Sequence, residues 1–413
     1  MVSAVERREL VPSFQGLGVS QELTEELESE GITAAFPIQA LTIPDALEGR
    51  DICGKAKTGS GKTLAFGLPM LEMIGPAQPR RPRGLVVVPT RELAAQVAST
   101  LEPLARVKGK RVLAVYGGTS IRDQVAALAE GVELIVATPA RLIDLLERGT
   151  VHLDRLETLV IDEADEMADL GFLPQVQSIM RQVSGAHQTM LFSATLDHRV
   201  QVLVRNYMKD PVFHEVTSQN ITVETSVHRF LEVQSTDRAR VTARIARSVS
   251  RTLVFVRTKR GCDRVANDLR LLSVNAKAIH GDLDQTQREK ALRQFRSGRV
   301  PVLVATNVAA SGLDIEGVDV VVHYDLPEDS TTYVHRSGRT ARAGEAGLVV
   351  TLVSNEQLET ASWIMKEAGL RMPIVRMFSN DERLDDLVTF HPGELPEPRR
   401  RPSSRNRRRS RLI

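Results

Sequence analysis

The sequence predicts an α/β protein of two successive blocks, each a mostly parallel sheet with helices on both faces, followed by a basic tail. Three observations predict it. The chain has 413 residues, more than one ordinary hydrophobic core organises, so two domains are expected. Short apolar runs rich in β-branched residues alternate with helical patterns over most of its length, as parallel strands buried on both faces do. The alternation is interrupted at Asp210-Pro211 and the polar stretch behind it, and it fades after Arg376.

In chain order, residues 1–13 read as a flexible leader. The first block spans 14–209, with strands expected at 84–88, 134–137, 158–161 and 189–192. Residues 210–221 read as the connection between blocks. The second block spans 222–376, with strands expected at 252–256, 300–305, 318–323 and 347–353. Residues 377–413 read as a disordered tail, marked by Pro392, Pro396, Pro398 and a run of arginines.

Composition narrows the class. With 42% apolar and 26% charged residues the chain has the make-up of a soluble globular protein. It contains no apolar stretch of membrane-spanning length and no basic-then-apolar start, so a cytoplasmic location is expected. Cys53 and Cys262 are the only cysteines, which excludes a disulfide framework and a cysteine-based zinc site. Net charge is +2, but residues 399–411 hold eight arginines and no acid, leaving −6 for the rest. Such a tail is suited to tethering a polyanion.

Two segments carry the chemistry. Ala56-Lys57-Thr58-Gly59-Ser60-Gly61-Lys62-Thr63 fits a phosphate-binding loop, with Ala56 in place of the usual first glycine. Gly59 and Gly61 let the backbone wrap and aim N–H groups at phosphate oxygens, and a helix starting near Lys62 adds its dipole. Lys62 is placed to reach the β- and γ-phosphates and Thr63 to ligate Mg²⁺. The second segment, Asp162-Glu163-Ala164-Asp165, follows the apolar run Leu159-Val160-Ile161. A buried parallel strand there delivers Asp162 to its carboxyl end, where ligands bind in open α/β sheets. A glycine-rich turn or an acidic run is ordinary when alone; together, in this order and context, they point to a nucleoside triphosphate with Mg²⁺.

Further segments then recur in a characteristic order. They are Pro89-Thr90-Arg91-Glu92-Leu93-Ala94, Gly117-Gly118, Thr138-Pro139-Ala140-Arg141 and Ser193-Ala194-Thr195 in the first block. The second block has His280-Gly281-Asp282 with Gln285 and Arg288, then Ala305-Thr306-Asn307 through Gly312-Leu313-Asp314, then His335-Arg336-Ser337-Gly338-Arg339-Thr340. On these residues the chain resembles the DEAD-box RNA helicases from Phe14 to about Arg376. The resemblance implies two tandem RecA-like domains on a flexible linker, ATP and Mg²⁺ as cofactors, and RNA as a largely sequence-independent partner.

It also implies roles. Asp162 partners Mg²⁺, Glu163 polarises the attacking water, and Asp165 joins Ser193 and Thr195 in a polar link beside the nucleotide. Arg336 and Arg339 act as arginine fingers when the domains close. Gln39 reads the adenine edge, Phe14 stacks on or near the base, and Asp314 lies at the nucleotide. RNA contacts are implied for Pro89, Thr90, Arg91, Gly118, Thr138 and Arg141, and for Arg257, Gly281, Gln285, Arg288 and Thr306. The chain departs from the family pattern at Ala35-Phe36, Lys57, Ala140, Asn307, Ser311 and Ala341, and none of these removes a named catalytic group. The expected activity is an ATP-dependent RNA helicase that opens duplexes locally. The alternative is an ATP-controlled RNA clamp or RNP-remodelling scaffold. A monomer is expected; RNP or ribosome-assembly partners and the RNA served stay open.

Overall fold

The structure is a computed structural model that describes residues 12–56, 59–216, 226–310, 318–340 and 347–390. The expectations for Lys57, Thr58, Ser311, Asp314, Ala341 and the arginine tail lie outside these residues. The described chain forms two α/β units, one around each of two seven-stranded sheets.

The first unit opens with α1 (Gln21–Ser29) and α2 (Pro37–Leu47). Its sheet then alternates with helices: β1 (Ile52–Lys55), α3 (Lys62–Met73), β2 (Gly84–Val87), α4 (Arg91–Val107), β3 (Val112–Val115), α5 (Ile121–Glu130), β4 (Leu134–Ala137) and α6 (Pro139–Glu147). There follow β5 (Thr158–Ile161), α7 (Ala164–Asp169), α8 (Leu173–Met180), β6 (Gln188–Ser193), α9 (His198–Tyr207) and β7 (Val212–Glu215). The strand order is β3-β4-β2-β5-β6-β1-β7, and the pairings are parallel.

Alternation along the strands divides the core between the two faces. Val86, Val136 and Val160 pack with α3 and α4, including Phe66 and Leu101. Leu85, Ile135 and Leu159 pack with Leu142, Val176 and Leu203 of α6, α8 and α9. Both faces are covered, so these strands read as continuous apolar runs, and each fully buried Leu or Phe stabilises by roughly 1.5–3 kcal/mol.

The second unit contains β8 (Val227–Glu232), α10 (Arg238–Arg247), β9 (Thr252–Phe255), α11 (Lys259–Leu271), β10 (Ala276–Ile279), α12 (Gln285–Arg296), β11 (Val302–Ala305) and α13 (Asn307–Ala310). It continues with β12 (Val320–His323), α14 (Ser330–Ser337), β13 (Leu348–Val353), α15 (Leu358–Glu367) and β14 (Ile374–Arg376). The order is β10-β11-β9-β12-β13-β8-β14. Counting strands from the start of each sheet, both read third, fourth, second, fifth, sixth, first, seventh. One topology is used twice.

Two expected boundaries are corrected. Val212–Glu215 belongs to no connection: it is the edge strand β7, paired in parallel with β1 from Ile52↔Val212 to Lys55↔Glu215. An edge strand is covered on fewer sides, and its half-exposed alternation hides the apolar run that marks the central strands. Residues 377–390 are not tail: Met377, Leu384, Leu387 and Phe390 are buried in the core of the second unit. Their spacing has no regular period, because they sit in turns and one short 3₁₀ segment, Glu382–Asp385. Among the described residues no helix is long and apolar enough to cross a membrane. Cys53 and Cys262 are free, buried thiols, pushed up by burial to about 11 and about 12, which suits inert packing.

Candidate nucleotide and RNA sites

The first site gathers at the carboxyl ends of β5, β6 and β1, neighbours in the sheet. Behind β1 the chain turns through Gly59 (φ +80°) and Gly61 (φ +86°). The left-handed Gly61 caps α3, which begins at Lys62 as expected. A Cβ on Gly61 would collide with the Gln39 amide and lie 2.7 Å from Phe36 Cδ2, so only glycine fits. The buried Ser60 hydroxyl has no hydrogen-bond partner among the described residues. A glycine turn opening a helix, with a hydroxyl to spare, fits a phosphate chain.

Lys62 is 5% exposed, and its Nζ lies 2.8 Å from Glu163 Oε1 and 3.9 Å from Asp162 Oδ1. Burial works to lower the Lys62 ammonium, but Glu163 and Asp162 outweigh it and hold it above its usual value. Burial pushes Asp162 up to about 7, against the pull of Lys62. Glu163 has φ +52°, rare for a residue with a side chain. It is held there between β5 and α7, with its N–H donating to Asp162 Oδ1 (2.9 Å). Such strain clusters at functional sites.

The link expected at Asp165 is formed. Asp165 Oδ2 accepts from the Thr195 N–H (2.8 Å) and hydroxyl (3.1 Å), and Ser193 Oγ accepts from the Asp165 N–H (3.1 Å). The Ala56 N–H donates to the Ser193 carbonyl, 3.0 Å, tying this link to the start of the loop. Thr63, partly buried in the first turn of α3, and Asp162 make an all-oxygen donor pair. That pair fits Mg²⁺, which takes one or two protein oxygens and leaves the rest to water and phosphate.

One base-reading expectation changes. Phe14 is 1% exposed and packs in the core with Val19, Leu23 and Ile38, so it offers no face to a base. Gln39 is also buried, and its amide bridges two backbones: Oε1 accepts from Phe36 N–H (2.7 Å) and Nε2 donates to the Gly61 carbonyl (2.9 Å). It thus ties α2 to the loop around Gly61.

A second group lies at the carboxyl ends of β2, β4 and β3. Thr90 caps α4, its Oγ1 accepting from Leu93 N–H (3.2 Å). Thr138 caps α6. Gly118, at φ +93°, faces the Arg91 guanidinium, and a Cβ there would lie 2.6 Å from Arg91 Nη1. Arg141 donates to Gln124 Oε1 (3.0 Å), and Gln124 donates to Tyr116 O and Thr119 Oγ1. Gln124 escapes a motif search because its role comes from folding. Pro89, Thr90, Arg91, Thr138 and Arg141 line one groove.

The second sheet places its residues at the same strand positions. Arg257 follows β9, Gly281 follows β10, and Thr306 follows β11. Gln285 opens α12, and Arg288 lies buried on it with its guanidinium lowered by burial. Arg336, on α14, is 5% exposed; it donates to the Asp325 carbonyl (3.0 Å) and lies 5.2 Å from the centre of the Phe255 ring. Burial lowers it to about 10. Arg339, beyond α14, is half-buried, the more accessible of the two.

The strand-end glycine loop, the buried Lys62–Glu163 pair and the acids after β5 define a P-loop nucleotide-binding α/β protein. Comparison with known proteins adds the family. The model described as DEAD/DEAH box helicase matches residues 36–203, and the helicase conserved C-terminal domain matches 237–344. The DEAD-box ATP-dependent RNA helicase CshA of Geobacillus kaustophilus is 40% identical over 375 residues, 90% of this chain and 80% of the relative. Its counterpart in Bacillus cereus is 43% identical, over 90% of this chain and 71% of the relative. Among solved structures, S. cerevisiae Dbp5 bound to RNA and ADP BeF3 aligns with a TM-score of 0.79 at 28% identity, covering 89% of this chain and 96% of that one. The chain belongs to the DEAD-box ATP-dependent RNA helicase family, and its two units are tandem RecA-like domains.

Proposed function

We propose that this RNA-dependent ATPase and helicase cleaves ATP at the loop after β1, with the acids after β5 as its chemical centre. The observation that carries this is the buried Lys62 Nζ, 2.8 Å from Glu163 Oε1, beside a turn in which only glycine fits at Gly61. Backbone N–H groups from Gly59 to Thr63 bind the phosphates, and Lys62 leaves its carboxylate partner for the β- and γ-phosphate oxygens. Thr63 and Asp162 hold Mg²⁺, whose chemistry there is to neutralise phosphate charge. Glu163, released by Lys62, accepts the proton of the attacking water. Asp165, Ser193 and Thr195 keep the strand ends in register.

Arg336 and Arg339 supply the cation that spreading charge on the transferred phosphoryl group requires, in a step in which the two units close. RNA is gripped through phosphates and riboses by Pro89, Thr90, Arg91, Gly118, Thr138 and Arg141. Arg257, Gly281, Gln285, Arg288 and Thr306 do the same from the second unit. We place the protein in the cytoplasm as a monomer, with the boundary between its domains at about residue 221.

The test is RNA-stimulated phosphate release by Glu163→Gln. Turnover is expected to fall by about 10²–10⁴-fold while nucleotide binding persists. Unchanged turnover would remove Glu163 from the chemistry.

A further inference from the structure

We propose that the nucleotide base stacks on Phe36, so that this chain carries its base-stacking aromatic at the start of α2. The proposal rests on the phosphate site described above. Phe36 is one of the residues at which the chain departs from its family pattern, and it is 56% exposed. Few large apolar side chains in the first unit are left so open. The ring is held by its backbone. Phe36 has an extended conformation (φ −69°, ψ 158°) ahead of Pro37, which opens the helix. Its N–H is pinned to Gln39 Oε1, and the same amide is pinned to the Gly61 carbonyl. Two hydrogen bonds through one buried side chain therefore fix Phe36 to the phosphate loop.

The ring itself reaches that loop. A Cβ on Gly61 would sit 2.7 Å from Phe36 Cδ2, so one edge of the ring meets the turn that starts α3. The rest faces solvent. Phe14, the aromatic expected here, has its ring in the core. An open aromatic face fixed beside a phosphate cradle suits a planar heterocycle joined to a phosphate chain. Stacking of this kind tolerates any base, because every base has a π-face. Phe36 thus sets affinity for the base as a whole rather than the choice among bases.

The experiment measures binding of ADP and of inorganic tripolyphosphate, each with Mg²⁺, to the full chain without RNA. Phe36→Leu keeps an apolar side chain and removes the aromatic face; Phe36→Tyr keeps the face. Phe36→Leu is expected to weaken ADP roughly tenfold, with tripolyphosphate unchanged and Phe36→Tyr close to the natural chain. ADP binding untouched by Phe36→Leu would overturn the proposal. So would an equal loss for both ligands, which would make the ring a brace for the loop. Failure of the natural chain to bind either ligand would overturn the phosphate site as well. Matching thermal unfolding midpoints confirm that the variants fold.

Discussion

After the first strand of the first sheet the chain turns through Gly59 and Gly61 into α3. After β8, the equivalent strand of the second sheet, it passes through Val233 and Gln234 to the Asp237 cap of α10, with no glycine on the way. After the fifth strand the first sheet presents Asp162 and Glu163. The second presents Tyr324 and Asp325, whose carbonyl holds Arg336. At the second, third and fourth strands, by contrast, the two sheets present matching sets: Pro89–Arg91, Gly118 and Thr138 in one, Arg257, Gly281 and Thr306 in the other. The lesson is that one fold was kept whole while the loops at one end of each sheet took different residues. Function lives at the strand ends, not in the sheet.

The comparison breaks most visibly where the sheets differ. Arg339→Ala is expected to lower RNA-stimulated ATP hydrolysis by roughly 10³-fold or more, as for arginine fingers elsewhere. Full turnover by that variant would leave the second sheet with no chemical part. A smaller effect is expected where the sheets match. Arg141→Ala should weaken RNA binding alike for all sequences and lower the slope of log affinity against log salt by about 1. A loss confined to particular RNA sequences would place Arg141 at a base edge and not at the backbone. The smallest effect concerns stability. Asp165→Ala strands the Thr195 N–H and hydroxyl and should cost about 1–3 kcal/mol in urea unfolding. No change would mean that water replaces the carboxylate without loss.

Much of this was legible before folding. The loop residues, the acids after β5 and the central strands announce themselves, because glycine turns and doubly buried strands leave local marks. The topology match of the two sheets was legible only through the family resemblance, since strand order depends on which apolar runs meet. Phe14 read as a base-facing aromatic from its position, yet its burial is decided by Leu23 and Ile38, which approach only in the folded unit. Phe36 read only as a departure from the family pattern. Its contact with Gly61 spans residues far apart in the chain and becomes visible only in three dimensions. β7 and residues 377–390 escaped because an edge strand and irregular turns bury apolar groups without a period.

The most direct measurement is ADP affinity of Lys62→Ala and Arg339→Ala, side by side with their ATP turnover. If the first sheet holds the phosphates and the second supplies only the cation for cleavage, Lys62→Ala loses binding and turnover together. Arg339→Ala then loses turnover while its affinity for ADP stays within about threefold of the natural chain. Equal loss of affinity in both variants would contradict that division of labour.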